Sequence, residues 1–126
     1  MRYLDLADFV ALGPIVIEGG LGMRDWGLVE SALARPAATV FGEEAYPSIY
    51  DKAAALLLSM VTNRALVDGN KRMGLAATVA FLLKNGLVLS YGEDEAYDFV
   101  ISVADGSMRE VAAVAAVLER WASPLR

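Results

Sequence analysis

Apolar residues recur at helical spacing along most of this chain, and the interruptions fall at glycine, proline and short polar runs. Residues 3 to 12 carry the first such pattern, which stops near Gly13-Pro14. Residues 14 to 19 extend as a second short piece, and Gly19, Gly20 and Gly22 mark a loop. Asp25 is placed to cap a helix that runs to Arg35, where Pro36 ends it by forcing the preceding residue out of the helical region. Residues 37 to 47 have no helical period and contain Thr39, Val40 and Phe41, so they read as extended. Ser48 and Asp51 open a long helix to about Arg64, apolar almost all round from Ala53 to Val61, which predicts a central, buried position. The next helix spans Asn70 to Asn85 and ends at Gly86, a residue suited to a left-handed C′ position. Leu87-Val88-Leu89 is short and extended, and residues 93 to 104 form an amphipathic helix that ends around Gly106. Ser107-Met108-Arg109-Glu110 reads as a capping box opening a last helix to about Trp121. The expectation is an all-α fold of five to seven helices with at most a small hairpin.

Length and composition narrow the function classes. At 126 residues the chain makes one domain, residues 1–126, able to bury about two-thirds of its unfolded surface. Hydrophobic residues make up 56% of it, alanine and leucine foremost, which favours helices and leaves apolar surface for a partner. There is no cysteine and no histidine, which excludes disulfides, thiolate chemistry and the commonest zinc ligand and fits a reducing cytoplasm. Asp5 and Asp8 interrupt the N-terminal apolar stretch, so no secretion signal is expected, and the uncharged run Met73 to Leu83 is too short to span a bilayer. A net charge of −5 argues against direct nucleic-acid binding through bulk electrostatics.

Against that acidic background, Val67-Asp68-Gly69-Asn70-Lys71-Arg72 stands out between two long apolar helices. Gly69 permits a tight turn, and the residues after it begin a helix whose first backbone N–H groups have no intrahelical partner. A helix N-terminus already carries partial positive charge, so Lys71 and Arg72 are electrostatically misplaced there unless an anion sits among them. Asn70, the amides of residues 69 to 72 and the two cations together suit a phosphate. Asp68 adds a hard oxygen suited to Mg²⁺, the companion of polyphosphates. A nucleotide site is the inference; the alternative is a surface turn with solvated charges.

The segment Arg64 to Arg72 resembles the signature loop of the Fic/Doc family, which reads H-x-F-x-D/E-G/A-N-K/G-R. The run from Gly22 to Pro36 is similar to the N-terminal part of the Doc, or death-on-curing, branch, and so is Ala45 to Ala54 ahead of the central helix. With the helix ending Phe81-Leu82-Leu83-Lys84-Asn85-Gly86, the likeness covers most of residues 20 to 90. It implies a compact helical domain whose residues 37 to 47 form a flap over the active site. It also implies that Asp68 binds Mg²⁺ bridging the phosphates of ATP, that Gly69 and Asn70 help form the anion hole, and that Lys71 and Arg72 hold phosphate oxygens. Lysine at position 71 goes in the family with a nucleotide that presents its γ-phosphate, hence kinase-like transfer to a hydroxyl; AMP transferases carry glycine there. The family target of the Doc branch is a threonine of translation elongation factor Tu, which implies a toxin that blocks translation.

One position departs from the motif. Where the family has its catalytic histidine, this chain has Arg64, which is always protonated and offers only donors. Positioned acid–base catalysis typically contributes about 10²–10⁴-fold, so the chain reads as an impaired enzyme. It is either a natural inactive relative or a toxin disabled by substitution, and Arg64 has an alternative role as a cation at a helix C-terminus. The inhibitory pattern S/T-x-x-x-E-G/N is matched only by Thr39 and Glu43, with Glu44 where Gly or Asn belongs, so the resemblance implies a separate antitoxin. Two other readings remain open: a non-catalytic module that binds nucleotide or antitoxin, and an AMP transferase, which Lys71 disfavours.

Overall fold

The computed structural model describes residues 1–126. Its helices are α1 (Leu6–Val16), α2 (Trp26–Ala34), α3 (Ile49–Thr62), α4 (Asn70–Lys84), α5 (Glu93–Ala104) and α6 (Val111–Trp121). Two antiparallel strand pairs complete it: β1 (Thr39–Val40) with β2 (Glu43–Glu44), and β3 (Leu87–Leu89) with β4 (Ala122–Pro124). The all-α expectation holds, with six helices.

The apolar run from Ala53 to Leu58 leaves the middle of α3 no face for water, and Lys52, the whole of that run, Met60 and Val61 are all buried. The other helices gather round it, α4 most extensively and α6 next. Gly74 makes the α3–α4 approach possible, because a Cβ there would lie 2.7 Å from Val61 Cγ2. Phe9 of α1, Val29 of α2, Phe81 of α4 and Leu118 of α6 complete a continuous core, with Phe99 edge-on to Trp121 at 5.1 Å. Asp25 and Ser48 cap α2 and α3 by accepting from the N–H groups of Leu28 and Asp51, as their spacing predicts. Gly86, at φ +86°, follows the last turn of α4.

Four helices depart at their boundaries from the sequence reading. The first helix does not stop at Gly13-Pro14 but carries both to Val16. It begins at Leu6, where Asp5 and Asp8 form a reciprocal capping box. Helix α2 ends at Ala34, and Arg35–Ala37 tighten into a 3₁₀ turn around Pro36. The Ser107 capping box does not form: the Ser107 N–H donates to Asp105 Oδ1, a local turn that competes with capping, and α6 starts at Val111 behind Glu110. Finally, Arg64 is not on the last turn of α3. The helix closes at Thr62 with Asn63 as C-cap, and Arg64 follows in the left-handed region at φ +54°.

The end of α4 is tied to α1 by Lys84 Nζ donating to Asp8 Oδ2 at 2.9 Å. That bond and the Asp5 backbone N–H hold the Asp8 carboxyl below its ordinary 3.8. A carboxyl with a lowered folded-state pKa stabilises fully above the unfolded value and loses the contribution as pH falls through the folded one. Asp8→Asn keeps the cap acceptor but removes the charge. It is expected to be less stable than the parent at neutral pH, by no more than about 1 kcal/mol for so exposed a pair. Urea melts should show the gap closing below pH 3.8. A gap of equal size in strong acid would show that the ion pair is not its source.

Candidate functional site

The segment between α3 and α4 is held from three sides. Asn63 Nδ2 donates to Leu28 O at 3.0 Å, fixing the exit of α3 against α2. Arg64 then turns the chain through a left-handed conformation that costs a non-glycine residue about 1 kcal/mol or more. The turn sends Ala65 and Leu66 into the core, where they are 1% and 2% exposed. Ala65 O accepts the N–H groups of Arg24 (2.9 Å) and Asp25 (3.0 Å), and the Val67 N–H donates to Gly22 O (2.9 Å). Residues 22 to 25 thus brace the loop along one edge. From the other end, Asn70 closes on Leu66 twice, Oδ1 accepting its N–H and Nδ2 donating to its C=O, both at 3.0 Å. The Asn70 side chain is therefore a brace in this conformation, and its direct offering to an anion is the backbone N–H.

Gly69 is the N-cap of α4 at φ +83°, a region open to glycine, and a Cβ there would lie 2.2 Å from Ile17 Cδ1. It has no side chain to cap the helix, and the first intrahelical bond runs from the Met73 N–H to Gly69 O. The N–H groups of Asn70, Lys71 and Arg72 therefore lack a capping side chain at the positive end of the α4 dipole.

The first residues of this helix open on a polar cleft of about 400 Å³ lined by Arg24, Thr62, Arg64, Leu66, Val67, Asp68, Gly69, Asn70 and Lys71, with Val61 and Ala104. The lining holds three cations, Arg24, Arg64 and Lys71, and a single carboxylate, Asp68, in a protein whose overall charge is −5. That local excess of cations suits an anion. Arg72 pairs with Asp68 across one turn at 3.5 Å, with side chains 55% and 88% exposed. So exposed an i,i+4 pair contributes only about 0.3–0.5 kcal/mol, which leaves both groups free to exchange partners for phosphate and a cation. Lys71 also borders a second, apolar cleft of about 470 Å³ between α4 and α5, lined by Arg72, Leu75, Tyr91, Glu93, Ala96, Tyr97, Val100 and Ile101.

A family model described as "Fic/DOC family" matches residues 3–82. The chain belongs to the Fic/Doc family. It is 50% identical over 111 residues to the Toxin Doc of Mycolicibacterium smegmatis, spanning 88% of this chain and 81% of that protein. It is 31% identical over 123 residues to the Protein kinase doc of Escherichia phage P1, spanning 95% of each. The residues that the motif singled out in this Fic/Doc chain are brought together: Arg64, Asp68, Gly69, Asn70 and Lys71 line one cleft, and Arg72 stands at its border in the neighbouring one. Arg24, Thr62 and the tyrosines Tyr91 and Tyr97 were not singled out. Arg24 lies inside the Gly22 to Pro36 block of the resemblance, but as a lone arginine it carries no signal of its own. The tyrosines come from a helix and a turn far along the chain.

No group of three or more acidic, histidine or cysteine residues stands ready to hold a metal. Asp68 alone fits Mg²⁺ only where phosphate oxygens and water fill the other positions, the arrangement that cation prefers. No helix is long and apolar enough to cross a membrane.

Proposed function

We propose that this chain is a Doc-type toxin whose loop from Asp68 to Arg72 binds Mg²⁺–ATP and directs the γ-phosphate to a hydroxyl of a translation factor, elongation factor Tu by analogy. The observation that carries the reading is the uncapped start of α4, its free N–H groups set beside Arg24, Arg64 and Lys71 in one cleft. In this reading the amides of residues 70 to 72 and the Lys71 and Arg72 side chains hold phosphate oxygens. Mg²⁺, when bound, neutralises charge on the transferring phosphoryl group. Asp68 holds that cation, and the apolar cleft beside Lys71 offers a wall for the nucleoside. Lys71 favours presentation of the γ-phosphate over AMP transfer. The likeness to proteins named Toxin Doc and Protein kinase doc supports the toxin and kinase assignments. It also supports a cognate antitoxin, which we expect to lay an amphipathic segment on exposed apolar positions such as Val10, Ile15 and Leu83. The site of action is the cytoplasm, where translation factors are.

Arg64 offers no proton acceptor, so this chain binds the nucleotide and transfers its phosphate poorly. A non-catalytic role, holding nucleotide or antitoxin, is the second reading, and the same absence of a base favours it. Calorimetry separates the nucleotide reading from a bare surface turn. Mg²⁺–ATP is expected to bind, and Asp68→Ala or Arg72→Ala to weaken it about tenfold or more, the scale of a lost charge-assisted contact. Mg²⁺ without nucleotide is expected to give no measurable heat. Equal affinity in the parent and both variants would remove the nucleotide site.

A further inference from the structure

Lys52 is the one charged residue buried in the core, at 1% exposure, in the first turn of α3. An ammonium buried without partners costs several kcal/mol, so its partners show what it is for. It has three N–H donors and three acceptors: Pro36 O at 3.4 Å, Glu44 Oε1 at 3.1 Å and Tyr46 O. All three belong to the segment that enters and leaves the β1–β2 hairpin, and none to the helical core. Arg35 adds a second tie, Nε donating to Tyr46 Oη at 2.9 Å and Nη1 to Ala55 O and Ser59 Oγ of α3.

The hairpin by itself is small, with one further backbone bond from the Ala45 N–H to Ala38 O at its base. It has two residue pairs, Thr39 with Glu44 and Val40 with Glu43, and every residue from Thr39 to Glu44 is exposed. Two-stranded hairpins of this size are marginal in water. Its turn residues, Phe41 at φ +52° and Gly42 at φ +81°, are both left-handed, and Phe41 is fully exposed in a conformation that disfavours it. A methionine at position 52 would fill the core with no charge to desolvate.

We infer that Lys52 is a positioning residue: it clasps both ends of the hairpin to α3, the helix that ends in the nucleotide loop. Position 52 stands ten residues before Thr62, about 15 Å along the helix axis at 1.5 Å per residue. The clasp fixes the angle at which Val40 and Phe41 are presented to a protein substrate relative to the phosphate cleft. This role in substrate recognition rests on the kinase reading above; the mechanical role does not.

Lys52→Met tests both parts. Helix content and the protection of α3 and α4 amides are expected to stay as in the parent, while amides of residues 38 to 45 exchange about tenfold faster or more. In an Arg64→His background, with elongation factor Tu as the probe substrate, KM for that protein is expected to rise about tenfold with kcat and ATP affinity unchanged. If Lys52→Met does not fold, Glu44→Ala, which removes only the exposed arm of the clasp, should give a smaller shift in the same direction. Unchanged hairpin exchange in a folded variant, or exchange that rises equally across α3 and α4, would overturn the clasp. If the Arg64→His protein is inert while the hairpin alone loosens, the clasp stands and the kinase reading fails.

Discussion

Replacing Arg64 by histidine is expected to turn a tolerated protein into one that arrests growth unless its antitoxin is co-expressed. The substitution supplies a proton acceptor that titrates near neutrality, where positioned acid–base catalysis contributes about 10²–10⁴-fold. On the proposed function the other groups already stand around position 64, with Asp68, Lys71 and the α4 amides lining or bordering the same cleft. The backbone also favours the change. Position 64 is left-handed at φ +54°, a region in which histidine is enriched several-fold over most non-glycine residues. Stability is therefore expected to hold or rise slightly, and thermal melts of the two proteins check this directly. A folded, nucleotide-binding Arg64→His protein that leaves growth untouched would favour the binding-module reading.

Gly69→Ala is expected to do the reverse, removing nucleotide binding and much stability in one step. The left-handed conformation at φ +83° costs an alanine about 1–2 kcal/mol. Displacing Ile17 Cδ1, 2.2 Å from the new methyl, adds overpacking of about 1–3 kcal/mol less whatever rotation of that side chain relieves. In a chain of this size that lowers Tm by roughly 10 °C. Strain at position 69 is also expected to shift the start of α4, which on the proposed function draws the amides of residues 70 to 72 away from the nucleotide phosphates. Ile17→Ala in the same background should recover the packing part of the loss and leave the backbone part. A Gly69→Ala protein that melts and binds Mg²⁺–ATP like its parent would show that neither the turn nor the uncapped helix start matters.

The helices were legible where one kind of signal ruled. The apolar run of α3 dictated its burial, Asp25 and Ser48 marked their caps, and Gly86 marked the end of α4. The misreadings came where a local signal met tertiary packing. Pro14 stays inside α1 although it donates no N–H, and the buried Gly13 before it packs against Leu21. Ser107 prefers Asp105 to its own capping box. The loop residues from Arg64 to Arg72 could be listed in advance because their order along the chain is the motif. What they do to one another could not: the closure of Asn70 on Leu66 and the brace from Gly22 to Asp25 depend on how separate segments meet. Nor could periodicity show that Lys52, at the head of the apolar run of α3, points its charge at a hairpin beside it.

Labelled ATP shows whether the loop from Asp68 to Arg72 directs γ-phosphate transfer. The Arg64→His protein is incubated with elongation factor Tu, Mg²⁺ and ATP carrying the label on either the γ- or the α-phosphate. Label is expected on the translation factor from γ-labelled ATP alone, and its appearance should be abolished by Asp68→Ala and by Arg72→Ala. Transfer of the α-label would show that Lys71 does not set the orientation and that the protein is an AMP transferase, and the absence of any transfer from a nucleotide-bound protein would contradict the account.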